Sequence, residues 1–469
     1  MARICLILEG SYPYKSGGVS TWVETLISNF PEHQFIIYAI EAEEKDSFEC
    51  YIPDNVLYVE SHFLNIKNLK NGSWGKGYRL TDQEKQAVQS LLTDEKTDWK
   101  VIFDLFKSRR IDSVVNFLMS RTFLDILKEV TLHYYDHYPF TDLYWMLRSM
   151  ILPLLLTIKH PIPDADLYHS CSTGYAGVVG SLAKYRYNRP FIITEHGIYT
   201  REREEEIIKA SWMPGYLKEF WIQHFYNMSN CAYSLADEVI TLFEKNKEIQ
   251  IEVGCAPSLL AIVPNGVDLE RYQDIHKFNK EKQGLIIGAI VRVVPIKDIK
   301  TMLQGFAIVK RALPQSKFFI MGSIHEDTEY YEECLRLADS LELTDVHFTG
   351  KVDIHHYLKQ IDILVLSSIS EGQPLAILEG MASGIPFVTT DVGGCKELIE
   401  GPNDEIGHAG VVVPIMHYLK LADGIIELGK DPELREVMGR NGLKRVKAYY
   451  QKSHFLDEYR AIYERNGGS

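Results

Sequence analysis

Residues 8–30 read LEGSYPYKSGGVSTWVETLISNF. An apolar strand that begins in RICLILEG gives way, through the pair Gly17-Gly18, to an amphipathic helix. Glycine lets backbone approach a ligand closely, and the free N–H groups and dipole of a helix start favour an anion. The turn is a candidate phosphate contact, with an ordinary tight strand-to-helix turn as the alternative. Its spacing departs from G-x-G-x-x-G, which counts against a nicotinamide or flavin enzyme.

The same rhythm continues outward from this turn. QFIIYAI, DNVLYVE, DLYHSCS, PFIITEH and DEVITLF are short β-branched or aromatic runs separated by helical patterns. Such alternation predicts a parallel sheet with helices on both faces. Residues 61–160 interrupt it with long amphipathic segments such as TDQEKQAVQSLLTDEKTDWKVIFDLFKSRR, read as a helical insertion. After the polar stretch QDIHKFNKEKQG a second series begins: LIIGAIVRV, KFFIMGS, VHFTGKV, DILVLSS, PFVTTDV and GVVVP. The boundary is placed near 272–283. The expected class is α/β, two doubly wound Rossmann-like domains facing each other across a cleft. The first spans 1–272 with its insertion at about 61–160, and the second 273–440. A C-terminal helix over 441–469 packs back toward the first domain and ends in a disordered tail. Ligands of such sheets sit beyond the carboxyl ends of the strands.

Composition narrows the function. The 469 residues carry a formal net charge of -14, which argues against a nucleic-acid or anionic-membrane binder. Seven cysteines are scattered without C-x-x-C or zinc-ligand spacing, so no disulfide framework or metal is expected, and a reducing cytoplasm fits. SMILPLLLTI at 149–158 is too short to span a membrane and reads as a buried helix. A weaker reading docks the YWMLRSMILPLLL face, with Leu155 and Leu156, on a membrane-protein partner.

Three stretches carry chemistry. GAIVRVVPIKDIKTML places Arg292 and Lys297 just beyond a strand and before a helix, which suits the two charges of a pyrophosphate. In SSISEGQPLAILEGMASGIPFVTTDVGG, residues 367–394, Glu371 lies in a Gly/Pro loop and Glu379 on the helix that follows. Eight helical residues rise about 12 Å, beyond the span of about 5–9.5 Å for a glycosidase pair. Separate roles fit better: Glu371 accepting sugar hydroxyls, Glu379 accepting ribose hydroxyls. TEHGIYTREREEE puts His196 at a strand end, where cleft residues gather, with Glu195 orienting it or capping the segment. Arg201 or Arg203 of the same run is a candidate acceptor contact.

Glu-x7-Glu with Arg292, Lys297 and VPNGVD at 263–268 resembles the retaining glycosyltransferases of family 4, which have the GT-B architecture. EGSYPYKSGGVSTWV and TEHGIYTRERE resemble more narrowly the cytoplasmic glycosyltransferases of exopolysaccharide synthesis. The resemblance implies that Arg292 and Lys297 hold a donor diphosphate, over which Gly17 and Gly18 close. It implies that Glu371 and the backbone N–H groups of Gly372, Gln373, Pro374 and Leu375 bind the donor sugar, Glu379 the ribose, Val352 the base, and that His196 lies near the reacting sugar. The implied reaction transfers a hexose from a UDP-sugar, UDP-glucose first, to a saccharide acceptor. It needs no metal or cofactor. Membrane-protein partners of a polysaccharide synthesis complex would recruit the chain. The alternatives are a nucleotide-sugar epimerase on the same fold and a non-catalytic UDP-sugar sensor.

Three motifs are set aside. DAD at 164–166 precedes its strand, at the wrong end for a cleft ligand. His355 and His356 lack further spaced ligands. CSTGYAGVVG at 171–180 is assigned to helix packing rather than anion binding.

Overall fold

The apolar runs form two separate, wholly parallel sheets. The structure, a computed structural model, describes residues 1–64, 77–93, 95–275, 284–402 and 404–467. The first sheet contains β1 (Arg3–Glu9), β2 (Gln34–Glu41), β3 (Val56–Phe63), β4 (Leu167–Ser170), β5 (Phe191–Glu195), β6 (Glu238–Thr241) and β7 (Leu260–Ile262). Its order is β3-β2-β1-β4-β5-β6-β7. The second contains β8 (Ile286–Ile290), β9 (Lys317–Met321), β10 (Val346–Gly350), β11 (Ile363–Leu366), β12 (Phe387–Thr390) and β13 (Gly410–Val413), in the order β10-β9-β8-β11-β12-β13. This is the expected pair of doubly wound Rossmann-like sheets. Every residue of β4, β5, β11 and β12 is buried, as strands covered on both faces require. The edge strand β7, in the short apolar run LLAIV at 259–263, was not singled out from the sequence, and its three residues are only partly covered.

The chain divides into two units, one of residues 1–241, 246–262 and 460–469, the other of 242–245 and 263–459. Within the first, five helices lie between β3 and β4 among the described residues: Asp82–Ser90, Trp99–Lys107, Val114–Leu118, Arg121–Tyr134 and Phe140–Lys159. The starts of the first four are written in the sequence. Thr81 and Glu84 form a reciprocal capping box, and Asp98, Ser113 and Ser120 each accept a backbone N–H. Because β3 runs to Phe63, the first residues of the stretch read as inserted belong to the sheet. Its segment 65–76, the boundary segment 276–283 and the last two residues of the tail lie outside the described residues.

Phe140–Lys159 is long and apolar enough to cross a membrane, and the share of it that is buried is 61%. Leu155 is 1% exposed and Leu156 packs against the same core. The proposed docking face is therefore corrected at these two positions: their side chains are spent on the core of their own unit.

Candidate functional site

In the second sheet β8 and β11 are neighbours, while β9 and β10 lie to one side and β12 and β13 to the other. Chain leaving β8 and chain leaving β11 diverge, which opens a crevice at their carboxyl ends. Lys297 follows β8 and Glu371 follows β11. The Ile369 amide donates to the Ile296 carbonyl at 2.9 Å, and Ser367 Oγ donates to the carbonyls of Lys297 and Asp298 at 3.1 and 2.8 Å. Stitched together this way, Lys297 Nζ pairs with Glu371 Oε1, and Ser368 Oγ donates to the same oxygen at 2.6 Å. The two charged side chains are 16% and 10% exposed. Beside them Asp298 caps helix Ile299–Ala312 with one carboxylate oxygen from a left-handed conformation, φ 47°. Its other oxygen, Oδ2, is buried without a hydrogen-bond partner among the described residues.

The loop after Glu371 is held from behind. Gly394 donates its N–H to the Gly372 carbonyl at 2.8 Å. Gly393, at φ 50°, lies where a Cβ would be 2.0 Å from the Glu371 carbonyl oxygen. The loop runs into helix Leu375–Ala382, whose first amides have no intrahelical partner. Two readings of this loop change. Pro374 has no N–H and cannot donate, which leaves Gly372, Gln373 and Leu375. The Gln373 side chain is 6% exposed and turned inward, its Oε1 accepting the Asn265 N–H at 2.6 Å and its Nε2 donating to the Leu242 carbonyl. It locks VPNGVD to the loop and leaves only the main chain of Gln373 for a ligand.

Arg292 Nη1 pairs with Glu326 at 2.6 Å, and both side chains are well exposed. Glu379 is half-buried, and desolvation pushes its carboxyl above the usual range; Tyr272 donates a hydrogen bond to it and Arg271 adds a favourable charge. Val352 follows β10 and packs against the apolar core of this unit. Glu326, Ser368 and Tyr272 were not named from the sequence. Ser368 lies within the stretch 367–394 that had been singled out, and Tyr272, at the end of VPNGVDLERY, lies beside another; Glu326 lies in neither.

In the first unit Gly17 caps helix Gly18–Ser28 in extended conformation, and a Cβ on Gly17 or Gly18 would meet nothing within 4 Å. The glycines of CSTGYAGVVG behave differently. A Cβ on Gly174 would be 2.2 Å from the Tyr199 ring, on Gly177 2.8 Å from Ala232, and on Gly180 2.0 Å from the Phe191 ring. Those three are packing glycines, as read from the sequence, whereas no packing contact among the described residues accounts for Gly17 and Gly18.

His196 follows β5, its ring edge-on to Trp22 at 4.7 Å. Burial lowers its pKa to about 4, so the ring is neutral at pH 7, and Nε2 has no partner among the described residues. Glu195 does not orient it. That carboxylate accepts from Thr173 Oγ1 (3.0 Å), the Tyr199 N–H (3.0 Å), Tyr233 Oη (2.6 Å) and Gln250 Nε2 (2.8 Å). Arg201 pairs with Glu252 at 3.6 Å and Arg203 with Glu206 at 2.8 Å.

Asp164 and Asp166 both bind Arg3, at its guanidinium and its N–H, at the amino end of the sheet. His355 Nε2 is 2.6 Å from the Arg271 carbonyl. Among the described residues no group of three or more His, Cys, Asp or Glu is placed to hold a metal ion.

Comparison with known proteins adds two families. Residues 2–258 match the family described as "Domain of unknown function (DUF3492)", and residues 270–445 match "Glycosyl transferases group 1". The UDP-Gal:alpha-D-GlcNAc-diphosphoundecaprenol alpha-1,3-galactosyltransferase of Escherichia coli is 25% identical over 313 residues, 64% of this chain and 75% of the relative. The capsular polysaccharide biosynthesis glycosyltransferase CapM of Staphylococcus aureus is 25% identical over 333 residues, 68% and 80% of the two chains. The crystal structure of Anabaena HepE in complex with UDP and glucose superposes with a TM-score of 0.62 at 16% identity, covering 99% of this chain and 100% of the other. The architecture is that of GT-B glycosyltransferases.

Proposed function

The chain belongs to the DUF3492 family over its first half and to the group 1 glycosyltransferases over its second, and from that premise we propose that it transfers a hexosyl unit from a UDP-sugar, UDP-glucose first, to a saccharide acceptor with retention at the anomeric carbon. The observation that carries this reading is the Lys297–Glu371–Ser368 cluster at the divergence of β8 and β11. Its parts match the needs of a nucleotide sugar. A diphosphate draws Lys297 from Glu371 and Arg292 from Glu326, and Glu371 is then free to accept sugar hydroxyls. The amides of Gly372, Gln373 and Leu375 supply further donors at a helix start. Glu379, already bonded to Tyr272, takes the ribose, and the main chain at Val352 takes the base.

In the transfer the bond from the anomeric carbon to the diphosphate breaks and one to the acceptor oxygen forms on the same face. The acceptor proton passes to a diphosphate oxygen. Lys297 and Arg292 stabilise the charge that builds on the leaving diphosphate, so no protein nucleophile is required. Neutral His196 is assigned to a hydroxyl of the reacting sugar. The Gly17-Gly18 turn is assigned to the diphosphate, because the open space at both glycines leaves room for close backbone approach. No metal or cofactor is needed in this scheme.

The role proposed is exopolysaccharide synthesis in the cytoplasm, the chain being recruited by membrane-protein partners. Its basis is that EGSYPYKSGGVSTWV and TEHGIYTRERE resemble PelF, the cytoplasmic glycosyltransferase of Pel exopolysaccharide biosynthesis. Incubation with radiolabelled UDP-glucose and oligosaccharide acceptors tests the reaction. Labelled acceptor and free UDP are expected; an isomerised sugar formed without acceptor would replace this reading by an epimerase, and UDP binding without any turnover by a sensor.

A further inference from the structure

Trp22 stands near the start of helix Gly18–Ser28, which the Gly17-Gly18 turn opens, and its side chain is 5% exposed. Its ring meets two histidines of the same unit. His196, just past β5, lies edge-on to it at 4.7 Å, and His169, on the neighbouring strand β4, at 5.7 Å. Edge-to-face contacts of this kind prefer one mutual orientation.

His169 cannot turn. It is fully buried, with Nδ1 3.0 Å from Tyr463 Oη and Nε2 2.8 Å from Thr194 Oγ1. Burial lowers its pKa to about 3, so at pH 7 the ring is neutral and uses one nitrogen as donor and the other as acceptor. A buried polar group with its bonds made on both sides is held rigidly. Tyr463 is fixed in turn. Its ring is edge-on to Phe30 at 5.7 Å, and on its own helix Arg460 pairs with Glu32 at 3.3 Å while Arg465 Nε donates to Glu238 at 3.0 Å. Residues 460–469 belong to the first unit, as do all the groups they meet here. Helix Gly18–Ser28 is thus held near its start by His169 through Trp22, and just past its end by Tyr463 through Phe30.

The Gly17-Gly18 turn and His196 are assigned above to the diphosphate and to the reacting sugar, neighbouring parts of one donor. A donor can meet both only if their separation is fixed, and a misplacement of about 1 Å can cost about 10²-fold in rate. We propose that Trp22 is a positioning residue, holding the His196 ring in place relative to the helix that begins at the glycine turn, with His169 and Tyr463 as its fixed support. The inference rests on the assignment of His196 to the reacting sugar and goes beyond it by naming the groups that aim the ring. Trp22 itself touches no substrate in this scheme.

Full-chain Trp22→Leu, Trp22→Phe, Tyr463→Phe and His196→Ala test it against the wild type. The readouts are UDP release from UDP-glucose in the presence of oligosaccharide acceptors, UDP affinity by calorimetry, and NMR titration of the His196 ring. Trp22→Leu is expected to lower kcat about tenfold or more, with UDP affinity, set by Lys297 and Arg292, within about twofold. Its His196 midpoint should rise from about 4 by about one unit as water reaches the ring. Trp22→Phe keeps an aromatic edge and should restore kcat to within about threefold. Tyr463→Phe removes one bond to His169 and should lower kcat about threefold. Loss of stability alone, with kcat and the His196 midpoint unmoved in Trp22→Leu, would make Trp22 a packing residue and overturn the proposal, as would equal losses of kcat and UDP affinity. Should Trp22→Leu not fold, unchanged kcat in Tyr463→Phe would overturn it. His196→Ala separates the two claims. Full turnover in that variant, or none in the wild type, removes the reading on which the inference rests; turnover lost in His196→Ala but kept in Trp22→Leu removes the inference alone.

Discussion

Glu195 and Glu371 both lie at the carboxyl side of a buried parallel strand, Glu195 as the last residue of β5 and Glu371 in the loop after β11, yet they differ in what surrounds them. Glu195 is 1% exposed and takes hydrogen bonds from four neutral donors, all from its own unit. Its bonding capacity is filled by the fold. Glu371 is tied to one cation and one hydroxyl, partners that an anionic, hydroxyl-rich ligand can replace. A strand-end acid is therefore not in itself a site; the exchangeability of its partners decides. The glycines divide in the same way, with Gly174 and Gly180 fixed by aromatic rings and Gly17 and Gly18 facing open space.

The comparison can be broken by mutation. Glu195→Ala strands buried donors at about 1–3 kcal/mol each, so chemical denaturation is expected to show a loss of roughly 4 kcal/mol or more. A loss under 1 kcal/mol would mean that the carboxylate does not organise its surroundings. Lys297→Ala is expected to cost roughly 10²–10³-fold in turnover, the scale of one lost charge-stabilising donor, and less in donor affinity. Equal losses in both would make Lys297 a binding residue only.

His196 gives a second contrast, since it is a neutral strand-end group of the first unit, whereas the strand ends of the second carry the Lys297–Glu371 ion pair. Its folded pKa of about 4 lies below the unfolded value of about 6.5. The stability it contributes is complete above pH 6.5 and lost as pH falls toward 4, at about 1.4 kcal/mol per pH unit. His196→Phe is expected to flatten the stability slope in that window by about one proton, and the acid limb of the wild-type pH–rate profile should not reflect His196 above pH 5. An NMR titration of His196 with its midpoint near 6.5 would contradict both.

Smaller effects are expected at the surface. The Arg292–Glu326 pair is exposed, so Arg292→Ala should change stability by about 1 kcal/mol at most, while weakening UDP binding about tenfold through one lost charge-assisted bond. Gly17→Ala and Gly18→Ala meet no steric obstacle in the protein and are expected to leave stability within about 0.5 kcal/mol. If turnover is equally unaffected, the turn does not approach the diphosphate.

Much of the fold was legible because each strand of a covered parallel sheet is a short apolar run, and both sheets are made of such runs. What the runs do not encode is their order. Lys297 and Glu371 were both visible as strand-end residues, but their pairing across 74 positions follows from β11 returning beside β8. Glu326, in the loop after β9, and Tyr272, in the 3-10 turn Glu270–Ile275, meet Arg292 and Glu379 only through folding. Gln373 misled because a polar side chain in a glycine-rich loop reads as ligand-facing, whereas here it satisfies the Asn265 amide and the Leu242 carbonyl inside the unit. Leu155 misled for the opposite reason: the unbroken apolar run MILPLLL at 150–156 gives no sign of which side is covered.

The central claim is that the strand ends of the second sheet bind a UDP-sugar. Isothermal titration calorimetry against UDP, GDP, ADP, UDP-glucose and NAD, on the wild type and on the Arg292→Ala, Lys297→Ala double variant, tests it most directly. Selective binding of UDP and UDP-glucose, abolished in the double variant, is predicted. Binding of NAD alone, of no nucleotide, or of UDP with undiminished affinity in the double variant would contradict it.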